Sequence, residues 1–274
     1  MGNIFTENDI EILISTMNQT SLDFLFPIFP SKHFSNYNIL IINQSETTTL
    51  ASEFPSVRII NSEGVGLSKS RNLAIKNAIG KICVIADDDI VYQEEFLMRI
   101  CNAHNKFPDA AVINFCAVNA GGKLMKKYPL RAKSNLSIFN ILNTISVEMT
   151  FNNKVLEASN VSFDENFGLG GVFEMGEEAA FLTDLRKKNK QLVFEPSVIV
   201  LHAELTSSNK KNWVESYYIS GALFTRIFKN NYIFWLLIKL FFDLKQNKIG
   251  LKNIKTVISS ANRGHKDYQR IKNK

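Results

Sequence analysis

Three consecutive carboxylates, Asp87, Asp88 and Asp89, stand in the stretch KICVIADDDIVY (Lys81–Tyr92), where an apolar run passes straight into acid and returns to Ile90 and Val91. Adjacent carboxylates repel, and burying them uncompensated raises their pKa values at a cost of kilocalories. A divalent cation removes that conflict. Mg²⁺ and Mn²⁺ take oxygen ligands, and Mg²⁺ commonly combines one or two carboxylates with substrate phosphates. If the strand continues into the triplet, Asp87 and Asp89 point to one side and Asp88 to the other, so two can meet a metal–diphosphate complex while the third faces away. The competing reading is an ordinary helix cap or a solvated loop.

A second acidic pair, Glu177-Glu178, ends the stretch FDENFGLGGVFEMGEE and opens a helical pattern. Carboxylates in a first helical turn complement the macrodipole without any catalytic duty. Four glycines (Gly168, Gly170, Gly171 and Gly176) argue for more, because they predict a mobile loop closing over a ligand. His202 follows the apolar run VIVL, where a lone histidine is either a satisfied core residue or a ligand.

The elements that must position these groups read as strand and helix in alternation. Glu11–Met17, Asn38–Asn43 and Val57–Asn61 are short β-branched runs, and Gly64 and Gly66 follow the third. From Ser68 the period changes: Leu67, Arg71, Ala74, Ile75 and Ala78 recur at helical spacing, with Gly80 as a stop. The strand Ile82–Ala86 leads into the aspartates, and a helix carries Phe96, Leu97, Ile100, Cys101 and His104 on one stripe. This order predicts a parallel α/β sheet with ligands at the carboxyl ends of its strands. Further on come a strand over Ala111–Val118, a Gly121-Gly122 turn, a strand over Ser146–Phe151, a helix over Glu177–Lys188 and a short strand over Leu192–Glu195.

Composition supports a folded domain, since 274 residues with 45% hydrophobic and 21% charged side chains can bury a full core. Cys83, Cys101 and Cys116 have neither zinc-site spacing nor the even number of a disulfide framework, which predicts a reducing, cytoplasmic compartment. No signal-peptide pattern opens the chain, although MGNIFT fits the short myristoylation pattern. Of the net charge of +6, residues Lys245–Lys274 hold +8, leaving the remainder near −2. That segregation argues against a nucleic-acid binder, whose basic residues should surround its site.

Taken together, NSEGVGLSKSRNLAIKNAIGKICVIADDDI (Asn61–Ile90) resembles the nucleotide-sugar-binding half of glycosyltransferase family 2: a Gly-rich turn, an Arg-Asn at the head of a helix, a Gly, an apolar strand and a DxD. VSFDENFGLGGVFEMGEEAAFLTDLRKKNKQLVFEPSVIVLH (Val161–His202) resembles the acceptor half of the same family. The resemblance runs over about residues 9 to 205. It implies a GT-A fold, a Rossmann-like nucleotide-binding sheet joined to a mixed acceptor-side sheet, and transfer of a sugar from a nucleoside diphosphate sugar with inversion. By resemblance Asp89 holds Mn²⁺ or Mg²⁺, and Asp87 and Asp88 contact the metal shell or the nucleoside. His202 joins the metal or diphosphate, Glu178 is the general base, and Glu177 is its rival or an acceptor ligand. Thr16, Gly66, Arg71 and Asn72 fall in the nucleotide-sugar site. Two departures stand out: the base position is commonly Asp and is here Glu178, and the Asp that usually reads the nucleobase is replaced by Asn43-Gln44.

The boundaries expected are a GT-A domain over 1–205, divided into a nucleotide-sugar half (9–120) and an acceptor half (121–205), and a helical, basic appendage over 206–274. From Trp213, WVESYYISGALFTRIFKNNYIFWLLIKLFFDLKQNK mixes aromatic, aliphatic and basic residues without a run long enough to span a membrane. It suits an interfacial helix on anionic lipid, or else a face packed on the catalytic domain or a second subunit. The expected protein is thus a peripheral inner-face glycosyltransferase that takes a UDP-sugar and extends a saccharide or lipid-linked acceptor of a surface polysaccharide, with its oligomeric state open. The rivals are a sugar-nucleotide nucleotidyltransferase, which wants a glycine-rich basic loop where this chain reads MNQTSLDF, and a non-catalytic binding module.

Overall fold

The computed structural model describes residues 5–202 and 212–273. The Gly2 of the acylation pattern and the 205/206 boundary lie outside them.

β1 (Ile10–Met17), β2 (Asn38–Gln44), β3 (Val57–Ser62) and β4 (Ile82–Asp87) pair in parallel in the order β3-β2-β1-β4. Their apolar runs are continuous because both faces are covered. Ile12, Ile14, Ile39, Ile41, Val84 and Ala86 enter one core, while Leu13, Leu40, Ile42, Cys83 and Ile85 enter another on the opposite face. Each Ile, Leu or Val among them contributes about 1.5–3 kcal/mol of burial. α1 (Leu25–Ile28) and α3 (Phe96–Lys106) cover the first face, and α2 (Leu67–Asn77) lies on the second. The three cysteines are buried and unpaired.

Past Asp89 the sheet becomes mixed, with β5 (Ile90–Tyr92), β6 (Val112–Val118), β7 (Met149–Asn152) and β8 (Leu192–His202) completing the order β4-β7-β6-β8-β5. α4 (Ile138–Leu142) and α5 (Asn153–Glu157) flank β7 in sequence, and α6 (Glu177–Lys187) packs beside α2 in the second core. Three expectations change here. The strand expected from Ser146 starts at Met149, because Ser146–Glu148 forms a tight 3-10 turn that sends Glu148 inward to Lys126 and Tyr128. The short strand ending at Glu195 runs on to His202. Pro196 is tolerated because β8 advances from Phe194 to Val198 while β6 advances only from Asn114 to Cys116, so no ladder bond is asked of it. Finally, Gly80 is no left-handed stop, since α2 ends at Asn77. A Cβ there would lie 2.5 Å from Cβ of Glu11, so glycine is required by the close approach of β1.

α7 (Trp213–Phe228), α8 (Tyr232–Lys245) and α9 (Ile254–Lys272) complete the chain, and α7 and α9 pack against α6 and the loop before it. Ile219, Ala222, Leu223 and Ile227 of α7 and Tyr268 of α9 share a core with Phe167, Phe173, Ala179 and Ala180. Arg226 locks the contact, donating to Asp164 at 2.8 Å and to Asp184 at 3.0 Å. α7 and α9 touch backbone to backbone: a Cβ on Gly221 would lie 1.9 Å from the Ala261 carbonyl, and one on Gly264 1.9 Å from that of Tyr218.

Candidate active site

A cavity of about 1050 Å³ opens at the carboxyl ends of β1, β2 and β4, lined there by Thr16, Met17, Gln44 and Asp87–Asp89. That is where parallel strand order reverses to mixed pairing, and where α/β sheets collect ligands. Its volume is at the upper end of the range usual for small-molecule sites.

The aspartates divide as strand alternation predicts. Asp87 continues β4 toward α2, accepting from Arg71 at 3.1 Å and from the Ser146 hydroxyl at 3.1 Å. Asp88 turns the other way and accepts from the Thr16 hydroxyl. Asp89 returns to the Asp87 side because Ile90 pairs with His202 across β5 and β8, bringing Asp89 to 3.6 Å from His202 Nε2. One ligand atom from each of Asp87, Asp89 and His202 then lies within 4.8 Å of the others. Burial pushes the Asp89 pKa up; His202 opposes this, and Asp87 and Asp88 reinforce it. Two carboxylates and an imidazole crowded in this way fit a divalent cation, which their charges favour and their donor types can ligate.

Arg71 joins this cluster to the second acidic pair. Sequence alone makes it an ordinary surface residue at a helix start, yet it is 1% exposed. Its Nη2 meets Asp87, while Nη1 is shared by Glu177 at 3.1 Å and Glu178 at 3.2 Å. Burial works against its charge, but Asp87, Glu178 and Glu177 more than restore it, and its pKa is raised. One guanidinium thus serves three carboxylates. Glu178 remains underbalanced: burial first and Glu177 second push its pKa up to about 8, against the pull of Arg71. Its side chain keeps 14% exposure and lines the cavity. A carboxylate with its proton affinity lifted toward neutrality, at a helix N-terminus beside a cavity, has the properties of a general base.

The glycine loop has a structural reason beyond mobility. Leu67 N–H donates to the Leu169 carbonyl at 2.8 Å, and the Ser68 hydroxyl donates to that of Phe167 at 2.6 Å. Gly170, at φ +78°, lies so close to the first glycine turn that a Cβ would meet Val65 at 2.9 Å and Gly66 Cα at 3.1 Å. The loop therefore bridges the Gly66 turn, and Gly66, Leu169 and Gly170 share the cavity lining.

Of the residues expected in the nucleotide-sugar site, Thr16, Gln44, Gly66, Arg71, Asp87 and Asp88 line the cavity, as do Asp89, Glu177, Glu178 and His202. Asn43 and Asn72 are not among its lining residues. Asn43 accepts from Gln19 N–H, donates to the Gln19 carbonyl and bonds Asn61. Asn72 exchanges two bonds with the Phe163 backbone, tying α2 to the loop that precedes α6. Sequence reasoning missed Ser146, whose only signal is a polar residue before MTF, and the wall built by α4, α7 and α8, which includes Phe139, Ile219, Trp235, Lys239 and Asp243.

A family model described as "Glycosyl transferase family 2" matches residues 5–173. No curated protein matches the chain in sequence. Among solved structures, S. aureus TarS 1–349 aligns with a TM-score of 0.58 at 14% identity, over 92% of this chain and 78% of that one. The same fragment in complex with UDP-GlcNAc aligns at 14% identity and 0.58 over 92% and 79%. S. aureus TarS in its longer form aligns at 13% and 0.58 over 92% of this chain and 47% of that one. At such identity the likeness is one of fold.

Proposed function

We propose, on the premise that this chain belongs to glycosyl transferase family 2 and is a nucleotide-sugar glycosyltransferase, that it works by a metal-dependent inverting displacement and extends a saccharide or lipid-linked acceptor in surface-polysaccharide synthesis. The observation that carries this reading is the pairing of Asp87, Asp89 and His202 with Glu177 and Glu178 across buried Arg71 in one cavity.

In this reading Glu178 takes the proton of the acceptor hydroxyl. The freed oxygen pair forms a bond to the anomeric carbon from the face opposite the diphosphate, and the bond to the diphosphate oxygen breaks with its electrons leaving on the nucleoside diphosphate. Asp87, Asp89 and His202 would hold Mn²⁺ or Mg²⁺, which when bound would supply Lewis-acid stabilisation of that departing charge. Ser146 and Arg71 fix the two oxygens of Asp87, and Arg71 orients both glutamates. Thr16, Asp88 and Gln44 face the nucleoside, for which the UDP-GlcNAc complex of TarS supports a uridine donor.

The outer face of α8 supports a place on a membrane surface. Ile233, Phe234, Leu237 and Phe241 are each more than half exposed, and the exposed Lys229, Lys245, Lys248 and Lys252 flank them. No helix among the described residues is long and apolar enough to cross a membrane, so the stripe would lie in the interface of an anionic bilayer.

The test is thermal shift with a panel of nucleotide sugars, with and without Mn²⁺, on the wild type and Asp89→Asn. A donor at a hundred times its Kd adds about 2.7 kcal/mol; that stabilisation should need Mn²⁺ and vanish in the variant. Stabilisation that ignores both metal and Asp89 would sink the metal–diphosphate assignment.

A further inference from the structure

The cavity has a second polar wall, built by α7 and α8 outside the stretch that the family model matches. α8 reads YIFWLLIKLFFDLK, and Lys239 and Asp243 are the only charges in it before Lys245. Lys239 Nζ lies 2.8 Å from Asp243 Oδ2, and the Tyr217 hydroxyl donates to the same oxygen at 2.9 Å. The ammonium also sits 4.8 Å from the centre of the Tyr217 ring. The side chains are 24% and 12% exposed. An ion pair so enclosed adds little net stability, and apolar residues of similar volume would hold an otherwise apolar helix at least as well. Its presence on a cavity-lining face therefore calls for a ligand.

The chemistry of the pair selects that ligand. Lys239 is neutralised by its neighbour, so the pair itself makes a poor trap for phosphate or carboxylate, and the further lysine on this lining, Lys248, is exposed. Among the described residues Asp243 Oδ1 makes no hydrogen bond, while Oδ2 takes both. An acceptor oxygen beside an ammonium, with the Ser216 hydroxyl, the Gln246 amide and the Trp235 indole on the same lining, suits groups that donate and accept side by side. Neighbouring hydroxyls of a neutral sugar ring do so.

We propose that Lys239 and Asp243, braced by Tyr217, form the acceptor-sugar subsite, binding hydroxyls of a neutral saccharide and holding it in the cavity that contains Glu178. The assignment rests on the glycosyltransferase reading and names which residues select the acceptor. It also places acceptor choice on the C-terminal helices, away from the donor chemistry.

Saturation-transfer NMR on the full chain with UDP and Mg²⁺ tests this, using methyl glycosides of glucose, galactose, mannose, rhamnose and N-acetylglucosamine as probes. Wild type, Asp243→Asn and the triple variant Tyr217→Phe/Lys239→Met/Asp243→Leu are compared; the triple variant removes both charges and the Tyr217 hydroxyl that would otherwise lose its acceptor. At least one glycoside should bind the wild type, with its Kd raised about tenfold or more in both variants. Affinity kept within threefold in the triple variant overturns the subsite, as does the absence of any glycoside binding to wild type that binds UDP. UDP binding is read on the same samples: wild type that fails to bind UDP would overturn the transferase reading itself.

Discussion

Replacing Glu177 by Gln should move the acid limb of the activity profile to lower pH. Glu177 and Glu178 both accept from Nη1 of Arg71, at 3.1 and 3.2 Å, so their oxygens lie within about 6 Å of each other. At an effective dielectric near 20, two unit charges at that distance repel by about 3 kcal/mol, or about 2 pH units. Water in the cavity screens part of this, leaving an expected shift of roughly 1 to 2 pH units. The sign follows from the raised pKa of Glu178: a base must be deprotonated to act, so wild-type activity climbs with pH above the ordinary glutamate range. Removing the neighbouring charge lets Glu178 ionise earlier. The assay is release of UDP from a UDP-sugar with water as acceptor, measured across pH for wild type, Glu177→Gln and Glu178→Gln. A limb that stays in place or rises in Glu177→Gln refutes the electrostatic argument, and a limb that persists in Glu178→Gln removes Glu178 from the base role.

Arg71→Met leaves three carboxylates without their shared cation and should cost about 3–5 kcal/mol, read as a fall of about 10 °C in Tm; a fall under about 2 °C would show that the carboxylates balance without it. The double variant Phe234→Asp/Phe241→Asp puts charge on the exposed face of α8 and should reduce sedimentation with anionic vesicles at least tenfold at low salt, whereas equal sedimentation of variant and wild type, or none of the wild type, rules out docking through this stripe.

The parallel part of the sheet, β1 to β4, was legible because its signals are local. Alternating β-branched runs, the change of period at Leu67 and the triplet at the end of β4 each depend on neighbours in sequence. The mixed part of the sheet depends on distant partners. Pro196 hid the length of β8, since a proline argues against a strand unless a bulge at the proline itself removes the need for its ladder bond, as the shift against β6 does here. Arg71 looked exposed because its three carboxylates come from Asp87 and from a helix more than a hundred residues away. Asn43 was singled out at the end of the second strand and Asn72 by the family resemblance; outside the cavity lining, their side chains bond the backbone of Gln19 and of Phe163, partners too far away in sequence to be read from it. The wall of α7 and α8 carried amphipathic and basic signals alike, and only packing shows which apolar face meets Phe167 and Phe173 and which meets solvent.

The contacts of Gly221 with Ala261 and of Gly264 with Tyr218 also bear on when the protein becomes active. During synthesis the strands through β8, which carry Asp87, Asp89 and His202, leave the ribosome before α7, α8 and α9. α7 is held by α9, which follows it by some forty residues, so the cavity stays unwalled on one side until that later helix has been made and docked. The strands and α6, with Asp87, Asp89, His202, Glu177 and Glu178, are thus made before the wall that carries Lys239 and Asp243, and the enclosed cavity is among the last features of the chain to form.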